Sequence, residues 1–170
     1  KTELPDFARL LQQFRAAAPG MAITTDLIAG FPGETEEEFQ AGLEFVRRMD
    51  FSGGHVFPYS ARPGTAAARM SGQVPHPLRR QRAAALRAVL AESSRCFHQT
   101  FLGSRQWVLW EGIEALEGGD WRLHGLTDNY LRVSALAKSN RWNRLDPVRL
   151  TCLEGEEYLG EIIEESEEIG

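Results

Sequence analysis

Gly30, Gly33 and Glu34 stand where an apolar run ends and an acidic, helix-like stretch begins, in the string Asp26-Leu27-Ile28-Ala29-Gly30-Phe31-Pro32-Gly33-Glu34-Thr35. Glycines let backbone amides come close to a ligand, and the N-terminus of a following helix adds positive dipole, a combination suited to small polar or anionic groups. A bare GxxG also serves a plain tight turn, so both readings stand. Glu34 has two roles open to it: accepting hydrogen bonds from a ligand amine or hydroxyl, or favouring the helix N-terminus electrostatically. Asp26 interrupts an apolar strand, and because an unpaired buried carboxylate is costly it is expected to have a partner, either a ligand hydroxyl or an arginine. A second polar loop, Ser60-Ala61-Arg62-Pro63-Gly64-Thr65, carries a guanidinium and two hydroxyls. It is able to grip a carboxylate or phosphate, or to form only a surface turn.

The elements that must position these groups are legible around them. Pro5, then Phe7, Leu10, Leu11 and Phe14 at helical spacing, and Gly20 as a cap predict a helix near 5–18. Residues 22–29 predict a strand covered on both faces. Thr35 and Glu38 form a capping box, Phe39, Leu43, Val46 and Met49 mark a buried helical stripe ending near Asp50, and a second strand follows over 54–59. Strand, helix and strand at this spacing imply a right-handed parallel crossover. Both loops then open on one rim, where α/β proteins place their sites. Pro58 removes a ladder donor and marks the second strand as the last of an open sheet or incomplete barrel. A long helix over 77–102, stopped by Gly103, is expected to turn most of its arginines away from its apolar face. Two strands and three helices cannot close a parallel barrel, so a further N-terminal portion is expected.

At 170 residues with ordinary charged and apolar fractions, the chain can bury a core in one large or two small domains. No apolar run approaches the ~20 residues of a membrane helix and no signal-peptide pattern opens the chain, so a cytoplasmic location is expected. Cys96 and Cys152 lie outside any CxxC and read as reduced thiols packed as small apolar groups. The histidines lack metal-ligand spacing, so no protein-built metal site is expected. The net charge of −5 is segregated: seven arginines and one acid lie between Arg62 and Arg95, against seven basic and fourteen acidic residues from Cys96 to Gly170. The arginine stretch suits a polyanion, with Arg79, Arg80 and Arg82 as phosphate contacts, or a solvated helix face paired with the acidic tail.

Beyond Gly103 the texture changes to alternation with turns. Runs at 106–116, 121–136, 144–153 and 158–163 predict four or five short antiparallel strands in a small OB-like barrel, dividing the chain into domains 1–102 and 103–170. Alternation places Tyr130 and Arg132 on one face, a stacking ring and a cation of the kind that meets RNA. Trp107, Trp110, Trp121 and Trp142 suit core or stacking platform equally.

The strings DLIAGFPGETEEEF, HVFPYSARPGTAAARM, VLWE and GLTDNYLRV, in that order, resemble the C-terminal part of the radical S-adenosylmethionine methylthiotransferases, the MiaB, MtaB and RimO group, with wording most like the MtaB branch. The resemblance implies the last strands of an incomplete (βα)₆ barrel to about residue 96, followed by a TRAM domain. It implies S-adenosylmethionine and two 4Fe-4S clusters in the complete enzyme, one on a CxxxCxxC loop and one on an N-terminal domain; this chain has neither and is expected to be inactive alone. The implied reaction is reductive cleavage of the cofactor, hydrogen abstraction from C2 of an adenosine, and addition of a methylthio group there. The implied substrate is N6-threonylcarbamoyladenosine beside the anticodon of tRNA. By the same resemblance Ile28, Gly30, Phe31 and Glu34 lie on the adenosine side of the cofactor, and Ser60, Arg62 and Thr65 face cofactor or substrate. Two rivals remain: a free-standing RNA-binding module, and a RimO-like enzyme acting on a ribosomal protein.

Overall fold

The computed structural model describes residues 3–164. Its elements run α1 (Leu4–Ala17), β1 (Thr24–Ala29), α2 (Glu36–Met49), β2 (Gly53–Pro58), α3 (Ala66–Arg69) and α4 (His76–Gln99), then β3 (Arg105–Ala115), β4 (Trp121–Leu126), β5 (Arg132–Ala137), β6 (Leu145–Glu154) and β7 (Glu157–Ile162). The chain divides between Phe97 and His98 into two compact units. No helix among the described residues is long and apolar enough to cross a membrane.

In the first unit β1 and β2 pair in parallel, Thr24 opposite Gly53 through Ala29 opposite Pro58. A Cβ on Gly54 would lie 2.2 Å from the Thr25 carbonyl oxygen, so only glycine permits this approach of the strands. The expected capping box is present: Thr35 accepts from the Glu38 amide, and Glu38 accepts from the Thr35 amide. Asp50 ends α2 in the left-handed region, φ +49°. Ala29 and Val56 point into a core built with Phe39 and Val46 of α2 and Leu86 and Leu90 of α4.

Only one face of the strand pair is covered, which corrects the expectation of two. Residues in parallel register point to the same side, so Asp26 and Ile28 share the opposite face with His55 and Phe57. Ile28 is 58% and Phe57 54% exposed. Asp26 is exposed as well, with no hydrogen bond or ion pair among the described residues, so water solvates the carboxylate for which burial predicted a partner.

The second unit is a closed barrel with strand order β3-β4-β5-β7-β6. All its pairs are antiparallel except β5 with β7, which run parallel and close the cylinder, a departure from the all-antiparallel expectation. Trp110 and Tyr158 are the largest fully buried side chains among the described residues. Each uses its polar tip: Trp110 Nε1 donates to Asp146 Oδ2 at 2.8 Å, and Tyr158 Oη to the His98 carbonyl at 2.6 Å. Arg141 Nη1 donates to the other Asp146 oxygen at 3.0 Å, so both oxygens of this buried carboxylate are paired. Cys96 and Cys152 are free and exposed, not packed as small apolar groups.

Candidate functional site

The C-terminal ends of β1 and β2 lie side by side, and the Tyr59 amide donates to the Ala29 carbonyl at 2.8 Å just beyond the last register pair. The two loops that leave them share one rim. Phe31 and Tyr59 meet edge to face across it, with ring centroids 5.4 Å apart.

The first loop is closed on itself. The Gly30 amide donates to Glu34 Oε2 at 2.8 Å, the Gly33 amide to the Gly72 carbonyl at 2.9 Å, and the Glu34 amide to the Phe31 carbonyl at 3.0 Å. The glycine amides expected to meet a ligand are therefore spent within the protein. Gly30 is required on two counts: its φ is +74°, and a Cβ there would lie 2.3 Å from Arg79 Cγ and 3.2 Å from the Arg79 Cα.

Arginines of α4 lock the rim from inside. Arg82, only 3% exposed, donates to the Glu34 carbonyl at 2.9 Å, to Glu34 Oε2 at 2.8 Å and to Glu36 Oε2 at 2.9 Å, with its guanidinium 5.1 Å from the Phe39 ring centroid. Arg79 donates to the Tyr59 carbonyl at 2.5 Å, and Arg87 to the Val56 carbonyl on β2 at 2.8 Å. These acceptors sit on loops and on a strand edge that lack further ladder donors, and long guanidinium arms reach them along apolar surface. Arg79 and Arg82, expected at solvent as phosphate contacts, thus turn inward; of the three arginines only Arg80 is exposed. Hydrogen bonds from Gln40 and then Arg82 hold the Glu36 carboxyl below the usual glutamate range.

The second loop is more open. Thr65 caps the short α3 by accepting from the Ala68 amide at 3.3 Å, and its hydroxyl donates to the Arg62 carbonyl at 2.8 Å. The Ser60 and Arg62 side chains are exposed.

On the barrel, Tyr130 is not a strand residue, so alternation does not place it beside Arg132. It sits at φ +64° in the turn before β5 and is 78% exposed, while Arg132 opens β5, also exposed. Trp110 belongs to the core, and Trp107 and Trp142 are 50% and 62% exposed. Period-two alternation along β3 separates Trp110 from Trp107, and the β1–β2 register finds His55 and Phe57 beside Asp26 and Ile28, signals that the motif reading passed over.

No protein-family model matches the chain. It is 40% identical over 111 residues to the threonylcarbamoyladenosine tRNA methylthiotransferase MtaB of Thermotoga maritima, a match covering 65% of this chain and 26% of that protein. It is 38% identical over 127 residues to MtaB of Bacillus subtilis, covering 75% of this chain and 28% of the relative. Against the tRNA-2-methylthio-N(6)-dimethylallyladenosine synthase of Dichelobacter nodosus it is 30% identical over 162 residues, 95% of this chain and 35% of the relative. The chain belongs to the radical S-adenosylmethionine methylthiotransferase family. It spans about a quarter to a third of the length of the curated relatives it matches.

Membership in the methylthiotransferases implies a cofactor and iron–sulfur clusters, and the residues present fit the two differently. Ile28 and Phe57, paired in register and more than half exposed, give an apolar face, and Phe31 on the first loop and Ser60 and Arg62 on the second are exposed beyond its strand ends, side chains that suit a nucleoside that also bears a carboxylate. The clusters do not fit: the chain has two cysteines, one in each unit, and no group of three potential metal ligands gathers among the described residues.

Proposed function

We propose that this chain is the closing wall and RNA-docking portion of a tRNA methylthiotransferase acting in the cytoplasm. In this reading the bare face of β1 and β2 lines the interior of a larger barrel, and the remainder of the barrel, with its cluster-bearing cysteines, comes from the part of the enzyme that this chain does not span. The observation that carries the reading is the register pair Ile28 and Phe57, apolar side chains left in solvent on a parallel sheet whose first loop is nonetheless closed by its own hydrogen bonds.

S-adenosylmethionine, held at this rim, would supply one-electron chemistry directed at C2 of an adenosine. The chain's own residues bind and orient. Ile28, Phe31 and Phe57 stack against the adenine and keep water away from it. Asp26 lies on the same face and suits a ribose hydroxyl, while Arg62 with Ser60 suits a carboxylate of cofactor or substrate. Gly30, Glu34 and Thr65 act through the loops they hold, and Arg79 and Arg82 fix the rim so that its groups are preorganised before ligand arrives. Tyr130 and Arg132 dock tRNA through a stacking ring and a phosphate contact, with Arg80 as a further phosphate contact.

The substrate nucleoside in this proposal is N6-threonylcarbamoyladenosine, supported by the wording of the second loop and by the names of the Thermotoga maritima and Bacillus subtilis relatives. Mass spectrometry of tRNA nucleosides from a strain lacking the gene tests it. Loss of the methylthio form of threonylcarbamoyladenosine is expected; loss of the methylthio dimethylallyl form instead, or of neither, contradicts it.

A further inference from the structure

Along β3, Trp107, Leu109 and Glu111 point outward between the fully buried Val108 and Trp110. Leu109 pairs in register with Leu145 of β6 on one side and Leu126 of β4 on the other, so an apolar ladder crosses three strands on the outer surface of the barrel. Together with Asp128 and Tyr130 of the β4–β5 turn these residues line a groove of about 500 Å³.

Three features limit what this groove takes. Tyr130 is held in a left-handed conformation that a bulky side chain rarely adopts, pinned by bonds from its own amide to the Thr127 carbonyl at 3.1 Å and from the Leu131 amide to Thr127 Oγ1 at 2.9 Å. The turn thus fixes the backbone from which the exposed Tyr130 ring projects to solvent. Trp107 supplies a second aromatic surface, with the Arg105 guanidinium 5.8 Å from its ring centroid. The charged groups lining the groove are Glu111 and Asp128, which accept hydrogen bonds and donate none. Arg132, opposite Leu126 in register, borders the groove.

We propose that this groove stacks an unpaired RNA base and reads its amino edge. Trp107 and Tyr130 take the faces of the base, Asp128 or Glu111 accepts from an exocyclic amine, and Arg105 and Arg132 meet flanking phosphates. Adenine, cytosine and guanine each offer an amino group to a carboxylate; uracil offers a single N–H between two carbonyls that the carboxylate repels. A basic peptide suits the carboxylates and rings, but the bordering arginines oppose it. The inference rests on the tRNA-docking reading above and adds a base preference to it.

The test is binding of the 170-residue chain to short oligo(C), oligo(A) and oligo(U), followed by fluorescence anisotropy at one low salt concentration. Oligo(C) and oligo(A) are expected to bind on the order of ten-fold more tightly than oligo(U), and Tyr130→Ala to weaken both by on the order of ten-fold. Asp128→Asn combined with Glu111→Gln, both at exposed positions, is expected to abolish the preference. Equal binding of the three by the unsubstituted chain, or equal strengthening of all three in the double variant, overturns the base reading and leaves tRNA docking standing. Failure of every oligonucleotide and of tRNA to bind overturns both, and retention of a lysine-rich peptide in their place assigns the groove to a protein.

Discussion

The parallel pair of β1 and β2 and the five-stranded barrel draw on similar apolar and β-branched residues, yet one leaves them in water and the other hides them. In the barrel every strand has two neighbours, and Trp110, Leu123, Val133 and Tyr158 are fully buried. In the pair each strand has one neighbour among the described residues, and Ile28 and Phe57 stay more than half exposed. What the first unit lacks in sheet it replaces with arginine, three guanidiniums of α4 satisfying loop and edge carbonyls. The barrel closes on itself and offers its outside; the strand pair, among the described residues, leaves one apolar face open. The loop motif alone does not reveal this, because the difference lies in which faces find a cover.

The comparison breaks most readily at Trp110. Trp110→Ala is expected to cost about 3–5 kcal/mol in denaturant unfolding of the barrel, since it empties a core site and strips Asp146 of a donor. Trp107→Ala, on the outer surface, is expected to change stability by less than about 0.5 kcal/mol, and similar costs for the two would erase the division between inside and outside.

In the first unit the matching contrast is Arg82 against Arg80. Removing Arg82 leaves the Glu34 carboxylate, 20% exposed, without its charged partner, so Arg82→Ala is expected to cost about 3 kcal/mol and to speed hydrogen exchange at the Gly30 amide. Arg80→Ala is expected to leave both unchanged and to lower the salt dependence of tRNA binding by about one phosphate contact. A rim equally protected without Arg82 would show that α4 does not hold it.

A smaller effect separates the barrel by pH. Burial raises Tyr158 to about 12 from an ordinary 10.0, so the folded barrel keeps a proton that the unfolded chain loses. Its contribution is complete below pH 10.0 and disappears as pH rises toward about 12. Burial lowers His98 from 6.5, which acts at the other end: stability falls as pH drops below that value and the unfolded chain takes up the proton first. Denaturant titrations across pH are expected to show a flatter alkaline decline in Tyr158→Phe; an unchanged slope would contradict the assignment.

Local signals carried much of this fold. The capping box at Thr35 and Glu38 and the stripe of Phe39 and Val46 each depend on neighbours a few residues away, and they appear where spacing placed them, whereas α4 ends at Gln99, short of the stop expected at Gly103. Long-range facts did not follow from spacing. The inward turn of Arg79 and Arg82 depends on acceptors in loops dozens of residues distant, and the exposure of Asp26 depends on a missing cover that no local pattern records. The parallel closure of β5 on β7 and the turn that holds Tyr130 out of its strand are likewise decided by pairing across the barrel.

The most direct test of the central claim is equilibrium dialysis of S-adenosylmethionine against the intact, cluster-loaded methylthiotransferase with Ile28→Asp in the exposed face of β1. The account predicts affinity weakened by about ten-fold or more, with the far-UV spectrum and the unfolding midpoint of the 170-residue chain unchanged because the side chain is 58% exposed there. Unaltered cofactor affinity in a folded variant would contradict it.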